Sequence, residues 1–154
     1  MGGQVGDTGT LRWHDGVEQI VVNIVDTKKE NDLFVHISKD KNLDVALQHS
    51  DIVLAEVSHD RRKKIKANHS ATHLMLSSMR EVLGTHIVQK GSFLNDEVLR
   101  FDFSHFAKVT DEELKKIEDR VNEKIRENIV LEERRNVPIK QAVEEGATAT
   151  FGEK

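Results

Sequence analysis

The chain has 154 residues and a formal charge of −4 at pH 7, from 23 Lys and Arg against 27 Asp and Glu. This length suits one compact domain or a domain with a small appendage, and the acidic balance excludes a polycationic binder of the histone type. The absence of cysteine excludes disulfides, thiol catalysis and Cys-ligated zinc within the chain. No apolar run approaches the ~18 residues of a membrane span, and no signal peptide opens the chain, so we expect a cytoplasmic protein.

The first third of the sequence predicts short β-strands. Its opening, residues 1–9, holds four of the nine glycines, which indicates tight turns and a chain that continues upstream. Runs rich in Val, Ile and Leu then alternate with polar, turn-like clusters. The apolar runs are residues 19–25, 33–37 and 52–57, and the clusters between them are residues 27–32 and 38–42. This spacing is typical of a small barrel or sandwich.

Two longer helices are predicted after residue 58. The first has an N-cap at Asn68 and Gly84 at its C′ position. The second begins with a capping box formed by Thr110 and Glu113. Apolar residues then recur at helical spacing and predict one buried stripe. The stripe consists of Leu114, Ile117, Val121 and Ile125.

The remaining elements complete an α+β pattern. Residues 99–103 alternate as a strand with one buried face. A short helix over residues 139–145 follows Pro138 and ends at Gly146. We therefore predict a small β-barrel-like N-terminal subdomain at residues 1–58. A two-layer α/β core with an antiparallel sheet is predicted at residues 59–154.

Two histidines at helical spacing are the strongest chemical signal. His69 and His73 lie four residues apart, which places both rings on one helix face within reach of a single zinc ion. The eight histidines would give about 0.4 such pairs by chance, so a half-buried structural pair stays open. Ser70 stands where a zinc protease needs a glutamate. A zinc site needs further ligands, for which His86 and His105 are candidates.

Other polar residues surround the histidine pair in the sequence. The cations directly before it suit phosphate contacts, although a solvated helix face is the simpler interpretation. They are Arg61, Arg62, Lys63, Lys64 and Lys66. Residues 85–92, which include Thr85 and Gln89, are predicted to line a polar pocket or to form a plain loop before a strand.

These motifs, in this order, resemble the editing region of the alanyl-tRNA synthetase family over nearly the whole chain. Each motif is modest alone, and five in the same order are highly specific. The matching segments are GGQVGDTG at 2–9, NHSATHL at 68–74, LGTH at 83–86 with QKGS at 89–92, VLRFDFSH at 98–105 and GATATFGEK at 146–154.

The resemblance implies a part of a bacterial, ATP-binding synthetase that hydrolyses tRNA(Ala) mischarged with serine or glycine. It implies one zinc ion, held by His69, His73 and a Cys-x-x-x-His motif that we expect beyond Lys154. A chain without that motif is expected to bind zinc weakly or not at all and to show little activity. Self-association through uncovered apolar surface is also expected.

The resemblance also implies roles for individual residues. Gln89 matches an editing-pocket glutamine, with Thr85 beside it, and both would recognise substrate or position water. A loop close to the pocket matches Gly2, Gly3 and Gln4. The cations at 61–66 would approach the tRNA acceptor stem, and the rest of the synthetase would be a partner. Two alternatives stay open: a free-standing trans-editing protein and a non-catalytic RNA- or protein-binding module of the same fold.

Overall fold

A computed structural model describes residues 3–14, 16–41 and 52–147. Its elements confirm an α+β fold with antiparallel sheets. In chain order they are β1 (Gly9–His14), β2 (Gln19–Glu30), β3 (Leu33–Ser38), β4 (Leu54–Val57), α1 (His59–Leu83), β5 (Gln89–Leu94), β6 (Leu99–Phe103), α2 (Asp111–Arg126) and α3 (Ile139–Glu144). None of these helices combines the length and apolarity needed to cross a bilayer.

The described residues form two compact units. The first contains those within Met1–His73 and Gly91–Phe101, and the second those within Leu74–Lys90 and Asp102–Lys154. Helix α1 and the β5–β6 hairpin contribute to both units. The domain division predicted at residue 58 stays a prediction.

The first unit is built on a four-stranded antiparallel sheet with the order β3-β2-β1-β4. Alternate residues of β1 and β2 bury one face of this sheet. Its core is Trp13, Val22 and Ile24, with Leu11 and Ile20 packed against them. Among the described strands β3 and β4 pair on one side only, so the sheet is open and no closed barrel is formed.

Strand β2 is longer than the sequence predicts. Residues 27–30 were expected in a turn, but they pair with residues 36–33 of β3, and the turn shrinks to Asn31 and Asp32. Asn31 adopts the left-handed conformation, with φ 55°, which asparagine tolerates better than most residues. The register shifts at a β-bulge between Ile24 and Asp26.

Helix α1 begins nine residues before the predicted N-cap at Asn68, so that prediction is wrong. The carbonyl of Ser58 accepts the N–H of Arg62 at 2.9 Å. Ile65, whose side chain is fully buried, anchors this first part of the helix. The amide of Asn68 donates instead to the Asn95 carbonyl at 2.8 Å. Gly84 ends the helix as predicted, with φ 114°.

The second unit confirms most local predictions. Thr110 and Glu113 form the predicted capping box of α2, and α3 follows Pro138 and ends before Gly146. Strand β6 alternates half-buried and exposed residues. The predicted stripe on α2 is only partly covered, because Ile117 is buried whereas Leu114 and Ile125 are more than half exposed.

Candidate metal centre

The histidine pair lies in the first unit, one turn apart on α1. The Nε2 atoms of His69 and His73 are 3.3 Å apart, and their rings meet edge to face with centroids 4.8 Å apart. This separation exceeds the usual 2.9–3.0 Å of a hydrogen bond between nitrogen and an acceptor. Two zinc–nitrogen bonds of about 2.0–2.1 Å at a tetrahedral angle separate their nitrogens by about 3.3 Å. The distance between the two nitrogens therefore suits a shared zinc ion.

The surroundings of His69 favour its neutral form. Burial lowers the pKa of His69, and the positive charges of His73 and Arg62 lower it further. A neutral imidazole is the form that binds a metal, so protons compete less for this ring. Its Nδ1 atom is buried and has no hydrogen-bond partner among the described residues. A ligating histidine normally donates this second N–H to a carboxylate or carbonyl.

The described residues supply two donors and no more. Within residues 3–14, 16–41 and 52–147, no group of three or more His, Cys, Asp or Glu side chains is arranged to hold a metal ion. A catalytic zinc site needs at least three protein ligands. Among the described residues, the pair alone therefore does not complete a catalytic zinc site.

The glycine-rich segment, residues 3–7, packs against β2 and β5. The carbonyl of Gly3 accepts the Leu94 N–H at 3.0 Å, and the Val5 N–H donates to the Leu94 carbonyl at 3.2 Å. A Cβ atom on Gly6 would lie 2.1 Å from the carbonyl oxygen of Thr27. Only glycine allows this close approach. Gly2, the other predicted residue of this loop, lies outside the described residues.

Two arginines of α1 hold this segment in place. Arg61 donates to the Gly6 carbonyl at 2.9 Å and forms an ion pair with Asp96 at 3.1 Å. Arg62 donates to the Oε1 atom of Gln4 at 3.1 Å and lies 3.5 Å from the Asp7 carboxylate. Arg62 precedes His69 by two helical turns, so one helix carries both the histidine pair and the residue that holds Gln4.

The five predicted phosphate contacts therefore divide into two groups. Arg61 and Arg62 are engaged within the first unit, whereas Lys63, Lys64 and Lys66 are exposed on α1. Sequence reasoning missed the acidic partners Asp7 and Asp96. In the sequence, the only signal that Arg61 and Arg62 contact the opening segment was its density of glycine, which indicates close backbone approach.

The remaining candidates lie in the second unit. Thr85 is exposed after α1, and Gln89 is half-buried at the start of β5. His86 and His105, the candidate third ligands, contact each other: Nε2 of His86 lies 2.9 Å from Nδ1 of His105. The ring of Phe106 stacks on His86 with centroids 4.5 Å apart. Each of these two nitrogens is thus the hydrogen-bond partner of the other.

No protein-family model matches the chain. Individual proteins match it over its whole length. The chain is 50% identical to the alanine–tRNA ligase of Porphyromonas gingivalis over 154 residues. It is 52% and 53% identical to the alanine–tRNA ligases of Bacteroides fragilis and Bacteroides thetaiotaomicron. These alignments cover 99–100% of this chain and 17% of each relative. Over its whole length, the chain is therefore homologous to one segment of alanine–tRNA ligases.

Proposed function

We propose that this chain is the part of an alanine–tRNA ligase that hydrolyses wrongly charged tRNA at a zinc site. The observation that carries the proposal is the 3.3 Å separation of the His69 and His73 Nε2 atoms. The similarity of the whole chain to alanine–tRNA ligases supports the tRNA substrate. Because the described residues provide two donors, we expect the chain alone to bind zinc weakly and to hydrolyse little.

The substrate follows from the difficulty of discriminating small amino acids. A pocket built for alanine rejects glycine poorly, because a missing methyl group costs little binding energy, and it rejects an added hydroxyl poorly too. A second, hydrolytic site solves this problem. We propose that the substrates are seryl- and glycyl-tRNA(Ala), and that the reaction breaks the ester between the amino acid and the terminal ribose.

Each candidate residue has a role that its chemistry allows. When bound, a zinc ion polarises a carbonyl oxygen or lowers the pKa of water. His69 and His73 hold it through Nε2. Gln89 and Thr85 carry an amide and a hydroxyl, which donate and accept hydrogen bonds but are not bases at neutral pH. We assign them to recognition of the substrate or to the orientation of water. Gln4 is positioned by Arg62.

A chimeric enzyme tests the proposal. This chain replaces its 52% identical counterpart in the Bacteroides fragilis ligase, and the release of serine from seryl-tRNA(Ala) is measured. The His73→Ala chimera is expected to lose hydrolysis and keep aminoacylation with alanine. The His86→Ala chimera is the matched control, because it removes a histidine that the proposal does not use as a zinc ligand. If the His73→Ala chimera clears seryl-tRNA as fast as the parent, the metal role fails. If the parent chimera does not clear it, a non-catalytic RNA-binding role is favoured.

A further inference from the structure

Arg62 contacts the glycine-rich segment (residues 3–7) through side chains, whereas the backbone of the segment is held by other residues. Its guanidinium donates to Oε1 of Gln4 and lies beside the Asp7 carboxylate. The hydrogen bonds that hold the backbone join Gly3 and Val5 to Leu94, the Gly6 carbonyl to Arg61 and the Asp7 carbonyl to the Thr27 hydroxyl. The path of the backbone is therefore fixed without Arg62, and the contact of Arg62 with Gln4 orders a side chain.

The orientation of the Gln4 amide follows from this contact. Arg62 donates to Oε1 of Gln4 at 3.1 Å. Because a guanidinium has donors and no acceptor, the carbonyl end of the amide faces Arg62 and the Nε2 end is turned away. Nε2 forms no hydrogen bond to a residue that the structure describes. Gln4 therefore presents a free N–H donor at a half-buried position.

Asp7 keeps the guanidinium of Arg62 beside Gln4. The Oδ1 atom of Asp7 is buried and accepts no hydrogen bond from the described residues. A buried carboxylate oxygen without compensation costs stability, and Arg62 supplies a positive charge at 3.5 Å. Arginine offers several donors in a fixed fork, so one guanidinium contacts the amide and the carboxylate at the same time.

The same guanidinium projects from the helix face that carries the histidine pair. Arg62 precedes His69 by seven residues and His73 by eleven, which are about two and three turns of an α-helix. The three side chains therefore follow one stripe of α1, and Arg62 and His69 are about 10.5 Å apart along the helix axis. The free donor of Gln4 lies at the Arg62 end of this stripe.

We propose that Arg62 is a positioning residue for hydrolysis of the aminoacyl ester. It fixes the Gln4 amide so that Nε2 donates to an oxygen of the ester bound beside the histidine pair. This inference rests on the proposed function, because the ester is the substrate assigned there. The competing interpretation is that Gln4 and Asp7 only compensate the charge of Arg62.

The positioning step is tested in the full chain by nitrogen relaxation of the Gln4 side-chain amide. In Arg62→Ala, the order parameter of this group is expected to fall from near the rigid-backbone value of about 0.85 to below about 0.6. Arg62→Lys is expected to release the amide too, because an ammonium group lacks the fork that reaches Gln4 and Asp7 together. Lys63→Ala removes the next, exposed cation and is the matched control, in which the amide is expected to stay ordered.

The donor role is tested in the Bacteroides fragilis chimera with seryl-tRNA(Ala). Gln4→Glu keeps an acceptor for Arg62 and the size of the side chain but removes the N–H donor. It is expected to lower kcat about 10²- to 10³-fold, the effect of losing one donor to a reacting oxygen. The measured quantity is kcat at saturating tRNA, because the added negative charge also weakens tRNA binding and raises KM.

A double-variant comparison shows whether Arg62 acts through Gln4. Arg62→Ala is expected to lower kcat about 10- to 100-fold, since a misplacement of about 1 Å costs up to about 100-fold. The Gln4→Ala/Arg62→Ala chimera is expected to be no slower than Gln4→Ala alone, because a residue that acts through another adds no loss once that other is removed.

Three results would overturn the inference. A Gln4 amide that stays ordered in Arg62→Ala excludes positioning by Arg62. A Gln4→Glu chimera that hydrolyses as fast as the parent excludes the donor role. Losses that multiply in the double variant show that Arg62 affects hydrolysis by a route other than Gln4.

Failure of the proposed function is a separate result, in which the parent chimera is inactive or His73→Ala is without effect. That result also overturns the donor role of Gln4, whereas the relaxation measurement still decides whether Arg62 positions the amide. An active parent with an inactive His73→Ala chimera and an unchanged Gln4→Glu chimera overturns this inference alone.

Discussion

The two units each contain a close pair of histidines, and the pairs differ in what their nitrogens do. In the first unit, the Nε2 atoms of His69 and His73 converge at 3.3 Å, and the Nδ1 atom of His69 is buried without a described partner. In the second unit, His86 and His105 approach to 2.9 Å, and Phe106 stacks on His86.

Under our proposal, this difference separates a metal-binding pair from a structural pair. Nitrogens that form a hydrogen bond of normal length satisfy each other and gain stability. The Nε2 atoms of His69 and His73 are farther apart, at 3.3 Å, and a contact of this length contributes less to stability. The proximity of two histidines is thus not sufficient evidence of a metal site, and the geometry of the nitrogens is what distinguishes the two pairs.

The largest expected effect concerns zinc affinity. In the chimeric ligase, His73→Ala is expected to weaken zinc binding by more than about 100-fold, because loss of an indirect, outer partner already costs about 10- to 100-fold. Isothermal titration calorimetry measures the change. His105→Ala is the control and is expected to bind zinc like wild type. Equal losses in the two variants would contradict the distinction between the pairs.

The next largest effect is expected on stability, from a substitution in the closely packed glycine-rich segment. Gly6→Ala places a methyl group 2.1 Å from the Thr27 carbonyl oxygen and is expected to cost about 1–3 kcal/mol of stability. Hydrogen exchange of the Val5 and Leu94 amides, which bond across this segment, is expected to accelerate. Gly16→Ala is the control for the exchange measurement: nothing lies within 4 Å of its Cβ position, so its cost comes from the φ of 98° alone, and the Val5 and Leu94 amides are expected to exchange as in wild type. Unchanged exchange in Gly6→Ala would show that the segment is not held as described.

Substitutions in the two histidine pairs are expected to have smaller effects on the free energy of unfolding, and in the opposite order to their effects on zinc binding. His86→Ala is expected to lower the free energy of unfolding by about 1–2 kcal/mol, because it removes a hydrogen bond and a ring stack. His69→Ala is expected to change it by less than about 0.5 kcal/mol, because no bond of normal length is lost. Urea denaturation in the presence of a chelator measures both. A larger loss in His69→Ala than in His86→Ala would reverse the assignment of roles.

The smallest expected effect is a pH dependence in the second unit. The backbone N–H and hydroxyl of Thr110 bond to Glu113 and, with the charge of His105, hold the pKa of that carboxylate below its usual range. The native state thus favours the charged form. Its contribution is fully present above the usual glutamate pKa of about 4.3 and disappears as the pH falls through the lowered value.

Thermal unfolding of Glu113→Gln between pH 7 and pH 3 tests this sign. The variant is expected to be less stable than wild type at neutral pH, and the difference is expected to close in acid. Glu112→Gln, whose carboxylate makes no hydrogen bond to a described residue, is the matched control and should track wild type. A difference in stability between wild type and Glu113→Gln that grows as the pH falls would show that the native state favours the protonated carboxyl group.

Local chemistry was predictable from the sequence, and tertiary anchoring was not. The capping box of Thr110 and Glu113 and the helix end at Gly84 depend on residues within one turn, so the sequence predicts both correctly. The predicted start of α1 was wrong because the buried residue in its first part is Ile65. The burial of Ile65 depends on elements that are distant in the sequence, so the local pattern does not reveal it. Arg61 and Arg62 bond to Gly6 and Gln4, which lie 55 and 58 residues away in the sequence, so no local pattern predicts these contacts. Their predicted contacts with phosphate stay a prediction.

The candidate metal centre shows the same division between local features, which the sequence predicts, and tertiary contacts, which it does not. Helical spacing alone predicts that the rings of His69 and His73 share a face. It does not predict that their Nε2 atoms lie 3.3 Å apart, or that Nε2 of His86 and Nδ1 of His105 form a hydrogen bond. Those distances depend on side-chain conformations that the surrounding packing selects.

The imidazole nitrogen resonances of the chain, recorded during a zinc titration, test the distinction between the two pairs most directly. Zinc is expected to shift the Nε2 resonances of His69 and His73 together and to leave those of His86 and His105 unchanged. Zinc-dependent shifts at His86 and His105, with His69 and His73 unaffected, would contradict the assignment of the metal centre to α1.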